Sequence, residues 1–345
     1  MATLRELAER TGYSPATISR ILTGDPSLSV TPEARRKVLE EAGRLNYSAT
    51  RSRRGRTPKG VLRVGLAEML TPVQQLDDPY YLYLSSFVRQ VCQDRRYTLV
   101  PLERRAGGFA PPEGQRLDGV AAVGLFTPPE IDGLAQASPN LVFLDSSPFE
   151  SRFDSVVLNY ELGISLALEH LTGLGHRRIG FVGPVYKLDD RRQRAPEVRR
   201  QLFSRLMEER GLLDPGLLLD CPMEVEAAAR EVGALLASGA PLPTALLCAN
   251  EESAIGAIRA LGEAGLSAPG DLSVVSFNDT PRSALVDPPL TSVSTHVEEM
   301  ARVAIGMLSE RAFLPGKEPA RVLPLKAVVP PSLVVRESSG PAPRR

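Results

Sequence analysis

Arg20 closes the stretch Pro15-Ala16-Thr17-Ile18-Ser19-Arg20, in which small and hydroxylated side chains surround a single forked cation. A guanidinium in that setting can pair with N7 and O6 of guanine, provided that the helix carrying it fits a DNA major groove. A second set of cations, Arg51, Arg53, Arg54, Arg56 and Lys59, is spaced to lie along phosphates. Each feature also has an ordinary reading. Capped amphipathic helix pairs are common, and a basic Gly/Pro-punctuated stretch can be a solvated linker.

Two short helices are needed to position Arg20. Thr3 with Glu6 forms a capping box, so a helix begins at Leu4, with Leu4, Leu7 and Ala8 on one face. Gly12 can take the left-handed conformation that ends it. Ser14 is an N-cap and Pro15 sits in the first turn, where its missing N–H costs nothing. The second helix runs to Leu22 and turns Ile18, Ile21 and Leu22 inward. A third helix starts at Thr31-Pro32, with Ala34, Val38, Leu39, Ala42 and Leu45 as its apolar stripe, and reaches Asn46-Tyr47. Residues 1–59 contain twelve Lys or Arg against six Asp or Glu; because the whole chain is neutral, this segment carries +6 and the remainder −6. Such asymmetry is expected of a nucleic-acid module joined to a domain with another task. Residues 1–47 are therefore read as an all-α helix-turn-helix headpiece and 48–60 as a basic hinge.

The 345 residues suffice for two or three domains, and 43% hydrophobic with 24% charged residues is ordinary for a soluble protein. Cys92, Cys221 and Cys248 are widely spaced in apolar surroundings, which suits reduced core thiols rather than a disulfide framework. No apolar leader or membrane-length run is present, so the expected location is cytoplasmic, at the nucleoid, with no membrane partner. The chain lacks a G-x-G-x-x-G after its first strand, a P-loop, a G-x-S-x-G and any Cys/His ligand spacing. No catalytic, cofactor-binding or metal-binding residue is predicted, and no cofactor.

From Val61 short apolar runs alternate with amphipathic helices. Val61–Ala67, Tyr97–Leu102, Gly119–Val123 and Leu141–Leu144 read as buried strands with a helix over Leu82–Cys92, and a second series begins at Arg178. The fold class is α/β: the headpiece plus two subdomains with parallel sheets, whose strand ends face each other across a crevice. The first subdomain is assigned to about 61–158 and 279–295, the second to about 163–278 and 298–337, and 338–345 to a frayed tail.

Thr3-Leu4, Ser14 with Thr17-Ile18-Ser19-Arg20-Ile21-Leu22, and Leu45-Asn46-Tyr47 resemble the headpiece of the LacI/GalR family of bacterial transcription regulators. Glu169-His170-Leu171, Gly175-His176-Arg177-Arg178-Ile179-Gly180, Ala249-Asn250-Glu251 and Asp271 to Asp279 resemble its periplasmic-binding-protein-like effector domain. Asp77 to Leu82 and the surroundings of Arg199 to Phe203 look most like the galactose- or galactoside-type repressors. The resemblance implies a homodimeric, allosteric repressor on a near-palindromic double-stranded operator, controlled by a small sugar such as galactose or a β-galactoside. It places Pro15, Ala16 and Arg20 at base edges and Thr3, Ser14, Thr17, Ser19, Thr23, Thr31 and Tyr47 on the backbone. For the effector it implies Asp145, Arg199, Asn250 and Asn278, with Tyr80, Tyr81 and Phe126 as ring faces. An Asp or Asn just after a strand is also a common turn or cap residue. Where most relatives have a proline and a wedging leucine in the hinge, this chain has Ala49 and Arg56, so Arg51, Arg53, Arg54 and Arg56 are expected to dock electrostatically with less bending of DNA. A sugar-metabolising enzyme on a doubly wound fold, with an appended DNA-binding module, is the competing reading.

Arg20→Ala is expected to relax preference at one base per half-site by about 1–3 kcal/mol, measured as relative affinities across operator variants; unchanged ratios would remove Arg20 from base readout. Neutralising the four hinge arginines should lower the salt slope of binding by several units, close to one for each phosphate no longer neutralised.

Overall fold

The computed structural model describes residues 4–22, 28, 30–44, 61–105, 108–313 and 318–343. It comprises two compact units, Met1–Lys59 and Gly60–Arg345.

In the first unit, α1 (Leu4–Thr11), α2 (Pro15–Leu22) and α3 (Pro32–Arg44) are each too short to be stable alone. They are held by a small core of Leu7, Ile18, Ile21, Val38 and Ala42, with Tyr13, Leu28 and Val30 packed around it. Gly12 ends α1 at φ +78°, a conformation that costs glycine little. The Ser14 Oγ accepts from the Thr17 N–H at 3.1 Å, and the Thr31 Oγ1 accepts from the Ala34 N–H at 3.2 Å, so both expected caps form. The expected Thr3 cap, the Leu45–Tyr47 end of the third helix and the hinge 48–60 lie outside the described residues.

The second unit opens with β1 (Arg63–Glu68), the single-turn α4 (Gln74–Asp77), α5 (Pro79–Asp94) and β2 (Thr98–Pro101). A hairpin of β3 (Glu103–Arg105) and β4 (Gly108–Ala110) leads to β5 (Gly119–Val123), α6 (Pro128–Ala137), β6 (Leu141–Leu144) and β7 (Asp154–Leu158). Next come α7 (Tyr160–Gly173), β8 (Ile179–Val182), a hairpin of β9 (Tyr186–Leu188) and β10 (Arg194–Pro196), and α8 (Val198–Glu209). They are followed by β11 (Leu218–Leu219), α9 (Val225–Ala237), β12 (Ala245–Cys248), α10 (Glu251–Glu263), β13 (Ser273–Asn278) and β14 (Thr291–Ser294). The unit ends with α11 (Val297–Arg311), β15 (Lys326–Val329) and β16 (Ser332–Val334).

The strands form two six-stranded sheets, ordered β15-β7-β6-β5-β1-β2 and β11-β8-β12-β13-β14-β16. The first is parallel throughout. The second is parallel except for β16, which runs antiparallel to β14. Strands β5, β6, β8 and β12 are buried along their whole length, as sheets covered by helices on both faces require.

The expected division of the chain between the subdomains needs correction. Residues 291–294 belong to the second sheet, because Val275 pairs with Thr291 and Phe277 with Val293. Helix α11 belongs to the first: Met300, Ala301, Ala304, Ile305 and Leu308 share a core with Leu84, Val88 and Val142. Strand β15 then joins β7 in the first sheet, and β16 returns to the second. The chain thus crosses between lobes three times, at Asn159, at Thr295-His296 and at Pro330-Pro331.

The frayed tail is also corrected. Ser338 is fully buried; its Oγ donates to the Val274 carbonyl at 2.6 Å and accepts from the Thr291 N–H at 2.8 Å. Ala342 donates to the Leu174 carbonyl at 2.9 Å, and His176 Nε2 meets the Gly340 carbonyl at 2.9 Å. Burial lowers the pKa of both His170 and His176, which suits their roles as neutral hydrogen-bonding groups. Small polar residues carry no apolar signature, so their sequence resembles a loose end.

Asp154 fastens the β15 edge of the first sheet. Its carboxylate is fully buried, accepts from both terminal nitrogens of Arg321 at 2.8 and 2.9 Å and from the Leu325 N–H at 2.7 Å, and lies 3.5 Å from Arg311 Nη1. Without it Arg311 loses the carboxylate beside it and Arg321 keeps only Glu310 and the Met307 and Leu323 carbonyls, so a paired carboxylate here is much cheaper than its loss. Asp154→Ala is therefore expected to lower unfolding free energy by about 3 kcal/mol in urea denaturation, and Asp154→Leu with Arg321→Met should recover part of it. At the start of α10, burial pushes the Glu252 carboxyl up to about 7, with nearby Glu251 and Asp78 adding and Arg282 opposing. A folded pKa above the unfolded one gives stability that is complete below about pH 4.5 and is lost as pH rises through about 7. Thermal melts from pH 5 to 8 should show a decline in stability that Glu252→Gln flattens, on the order of 1–3 kcal/mol.

Candidate functional site

On the first unit, Pro15, Ala16 and Arg20 are exposed and Thr17 is half-buried, so α2 presents one outward face. Ser14 and Thr17 bond each other at 2.9 Å between their hydroxyls, and Thr31 is occupied as a cap. These three are partly committed to holding the helices. The side chain of Ser19, together with Thr3, Thr23, Tyr47, Arg51, Arg53, Arg54 and Arg56, lies outside the described residues.

On the second unit, the loops at the C-terminal ends of the strands of both sheets meet around a cavity of about 590 Å³. This is the place where open α/β sheets bind ligands. A second, much smaller space of about 20 Å³ shares Tyr81, Asp145, Tyr160, Lys187 and Arg199 with it and is lined further by Asp78 and Tyr80 from the first lobe and by Met223, Asn250 and Asn278 from the second. Asp145 follows β6 directly and holds φ +66°, a left-handed turn that its short side chain tolerates. Its two oxygens accept from the Tyr81 hydroxyl at 2.8 Å and the Tyr160 hydroxyl at 3.2 Å. Burial, followed by the charge of Asp145, holds both phenols well above their ordinary pKa, so they remain donors.

Arg199 lies near the start of α8, only 4% exposed. Its Nε donates to Glu197 Oε1 at 2.7 Å, Nη1 donates to the Ala249 carbonyl, and Nη2 meets Met223 Sδ at 3.2 Å. The Tyr160 and Phe277 rings lie 5.9 and 5.6 Å from the guanidinium carbon. Burial alone would lower its pKa, but Glu197, Tyr160 and Asp145 outweigh that and raise it, so the charge persists. Further N–H groups on both terminal nitrogens remain for a ligand.

Asn250 caps α10: its Oδ1 accepts from the Ser253 N–H at 2.9 Å, while Nδ2 donates to the Met223 carbonyl and to Glu252. The cap reading of this residue is therefore correct, and it also lines the pocket. Asn278 ends β13 at φ +96°, its backbone carbonyl taken by Thr295. Tyr80 is buried beside Tyr81, with ring centroids 5.1 Å apart at 77°. Six of the seven expected effector residues thus converge.

Phe126 does not. It is fully buried in the first-lobe core between Phe109 and Phe143, at 5.5 and 6.1 Å, and its neighbour Leu125 reaches the cavity instead. Gly124 at φ +100° turns the chain so that consecutive side chains diverge in a way no alternation pattern reveals. Sequence reasoning missed Asp78, Tyr160 and Lys187. Burial raises the Asp78 carboxyl, with Lys187 opposing, and Tyr160 stacks on Phe277 at 5.9 Å. Only Tyr160 had a readable signal, an aromatic just after the Asn159 cap of α7.

Comparison with known proteins agrees with this geometry. The profile of the periplasmic binding protein-like domain matches residues 168–339. The HTH-type transcriptional regulator GanR of Bacillus subtilis (strain 168) is 32% identical over 315 residues, 90% of this chain and 93% of that protein. GalR of Streptococcus thermophilus is 30% identical over 92% of this chain and 95% of its own length. A crystal structure of the lac repressor dimer bound to operator and an anti-inducer superposes with a TM-score of 0.65 at 24% identity, covering 98% of this chain and 99% of that one. These relatives are regulators rather than enzymes, which removes the competing metabolic reading. With the headpiece helices, the facing sheets and relatives 30–32% identical over nine-tenths of the chain all in agreement, the chain belongs to the LacI/GalR family of helix-turn-helix transcriptional regulators.

Proposed function

We propose that the protein is a cytoplasmic homodimeric repressor that holds a near-palindromic operator through α2 and is controlled by a neutral sugar, galactose or a β-galactoside, in the cavity between its lobes. The observation carrying this is the Tyr81–Asp145–Tyr160 triad facing Arg199 and Asn278. Carboxylate, phenol, carboxamide and guanidinium at short spacing match a polyol, which donates and accepts at each hydroxyl. The names of the relatives GalR and GanR support the galactoside class.

Control follows from linkage. A sugar contacting both lobes binds one closure state more strongly, and two-fold symmetry makes headpiece spacing depend on closure. Sugar and operator must then change each other's affinity by the same factor. The sign of that factor distinguishes an inducer from a corepressor.

Full-length protein should retain specific fragments of genomic DNA, and a galactoside should change that retention in a shift assay. Asp145→Ala is expected to weaken sugar binding by about 10- to 100-fold through the loss of charge-assisted hydrogen bonds, measured by calorimetric titration of the sugar. Turnover of a sugar without DNA retention would overturn the proposal.

A further inference from the structure

The hairpin β9–β10 rises from the second lobe and reaches the first along one side of the cavity. Leu188 pairs with Arg194 and Tyr186 with Pro196, and Asp189 ties the turn: its Oδ1 accepts from the Arg191 N–H at 2.9 Å and the Gln193 N–H at 2.8 Å. The stiffened tip presents three side chains to the first lobe. Arg192 Nη1 lies 3.5 Å from Glu130 Oε2, the Arg191 guanidinium carbon lies 4.9 Å from the centroid of the Phe149 ring, and the Asp190 carboxyl faces the Ser147 N–H.

The receiving side is prepared in advance. Glu130 Oε2 accepts from the Thr127 N–H at 2.9 Å and the Thr127 hydroxyl at 3.0 Å in the capping box of α6, and Oε1 accepts from Arg104 Nη1 at 3.2 Å. These bonds stay within the first lobe when the lobes part; the contact with Arg192 does not. The Glu130 side chain is 13% exposed and that of Arg192 30%, so water screens the pair only in part. Phe149 holds φ +54° and Arg192 φ +57°, left-handed backbone that residues other than glycine seldom enter. Both facing loops thus carry local strain at residues that meet across the cleft, as clamps and switches do.

Among the described residues that line the two cavities of the cleft, neither Arg192 nor Glu130 appears. The pair can act on a ligand only through the balance between lobe arrangements. We infer that the β9–β10 tip is a latch between the lobes, whose Arg192–Glu130 pair sets how tightly the sugar is held without touching it. This rests on the sugar reading above. A ligand that needs the closed arrangement loses affinity in proportion to the fraction of molecules that are open, so a latch that changes this fraction a few-fold changes affinity by up to the same factor. A much stronger latch would hold the lobes shut with or without sugar.

The test combines calorimetric titration of the full chain with galactose and lactose and amide hydrogen exchange of the full chain without sugar. Glu130→Gln removes the charge but keeps the capping box, and Arg192→Gln keeps a polar side chain on the turn. At low salt each should weaken sugar binding by about three- to tenfold, and the double variant should lose no more than the larger single loss. The difference from the unaltered protein should shrink in about 0.5 M salt, which screens the pair. Without sugar, Glu130→Gln should speed exchange over residues 189–193 on the opposite lobe. Unchanged affinity in the single variants, or losses that add in the double variant, overturns the latch. Unchanged exchange over 189–193 overturns it whether or not sugar binds, so failure of both sugars to bind counts against the sugar reading alone.

Discussion

Arg199 brings a permanent positive charge into the floor of the cleft, and burial of such a charge is tolerated only where several partners meet it at once. Glu197 at the start of α8, the Ala249 carbonyl at the end of β12, Met223 after β11 and the rings of Tyr160 and Phe277 all supply part of that requirement. They come from the loops of successive strands, so the guanidinium ties the binding face of the second sheet into one arrangement. Tyr160 also bonds Asp145 of the first lobe. A single buried cation therefore links the internal order of one lobe to its contact with the other.

The triple crossing of the chain gives that contact its mechanical character. Each lobe is completed by a segment that follows its main run: α11 and β15 for the first, β16 for the second. The crossings lie side by side, with the Asn159 N–H donating to the Val329 carbonyl at 3.0 Å and His296 Nε2 meeting Ser332 Oγ at 2.9 Å, an arrangement that suits a hinge. His296, held at φ +48° at the second crossing, marks where the backbone absorbs the change of direction. The hydrogen bonds spanning the cleft, such as Tyr160 to Asp145, can break and re-form without disturbing either core.

Much of this was legible in the sequence because it rests on periodicity and local chemistry. The helices of the headpiece announce themselves through Ser14, Thr31 and Gly12, and the buried strands through continuous apolar runs such as Leu141–Leu144. Asp145, Asn250 and Asn278 came from the family resemblance, since polar residues at strand ends are by themselves equally turn or cap residues. What could not be read depends on long-range pairing. Whether 291–294 joins one sheet or the other is decided by neighbours such as Val275, far away in the chain. Phe126 and Leu125 exchange roles through the backbone of Gly124, and the β9–β10 hairpin is too short and too charged to show alternation.

The docking of residues 326–342 has a consequence for biosynthesis. Strand β15 closes the edge of a sheet whose other strands lie between residues 63 and 158, and Ser338 bonds β13 and β14 from a still later position. During translation, neither lobe can bury its full complement of edge hydrogen bonds until these late segments emerge. The three-helix headpiece, whose described core of Leu7, Ile18, Ile21, Val38 and Ala42 is drawn from within forty residues, is complete long before. A nascent chain therefore passes through an interval in which the finished helical module is tethered to two sheets with open edges, a state that invites chaperone capture or premature pairing between chains.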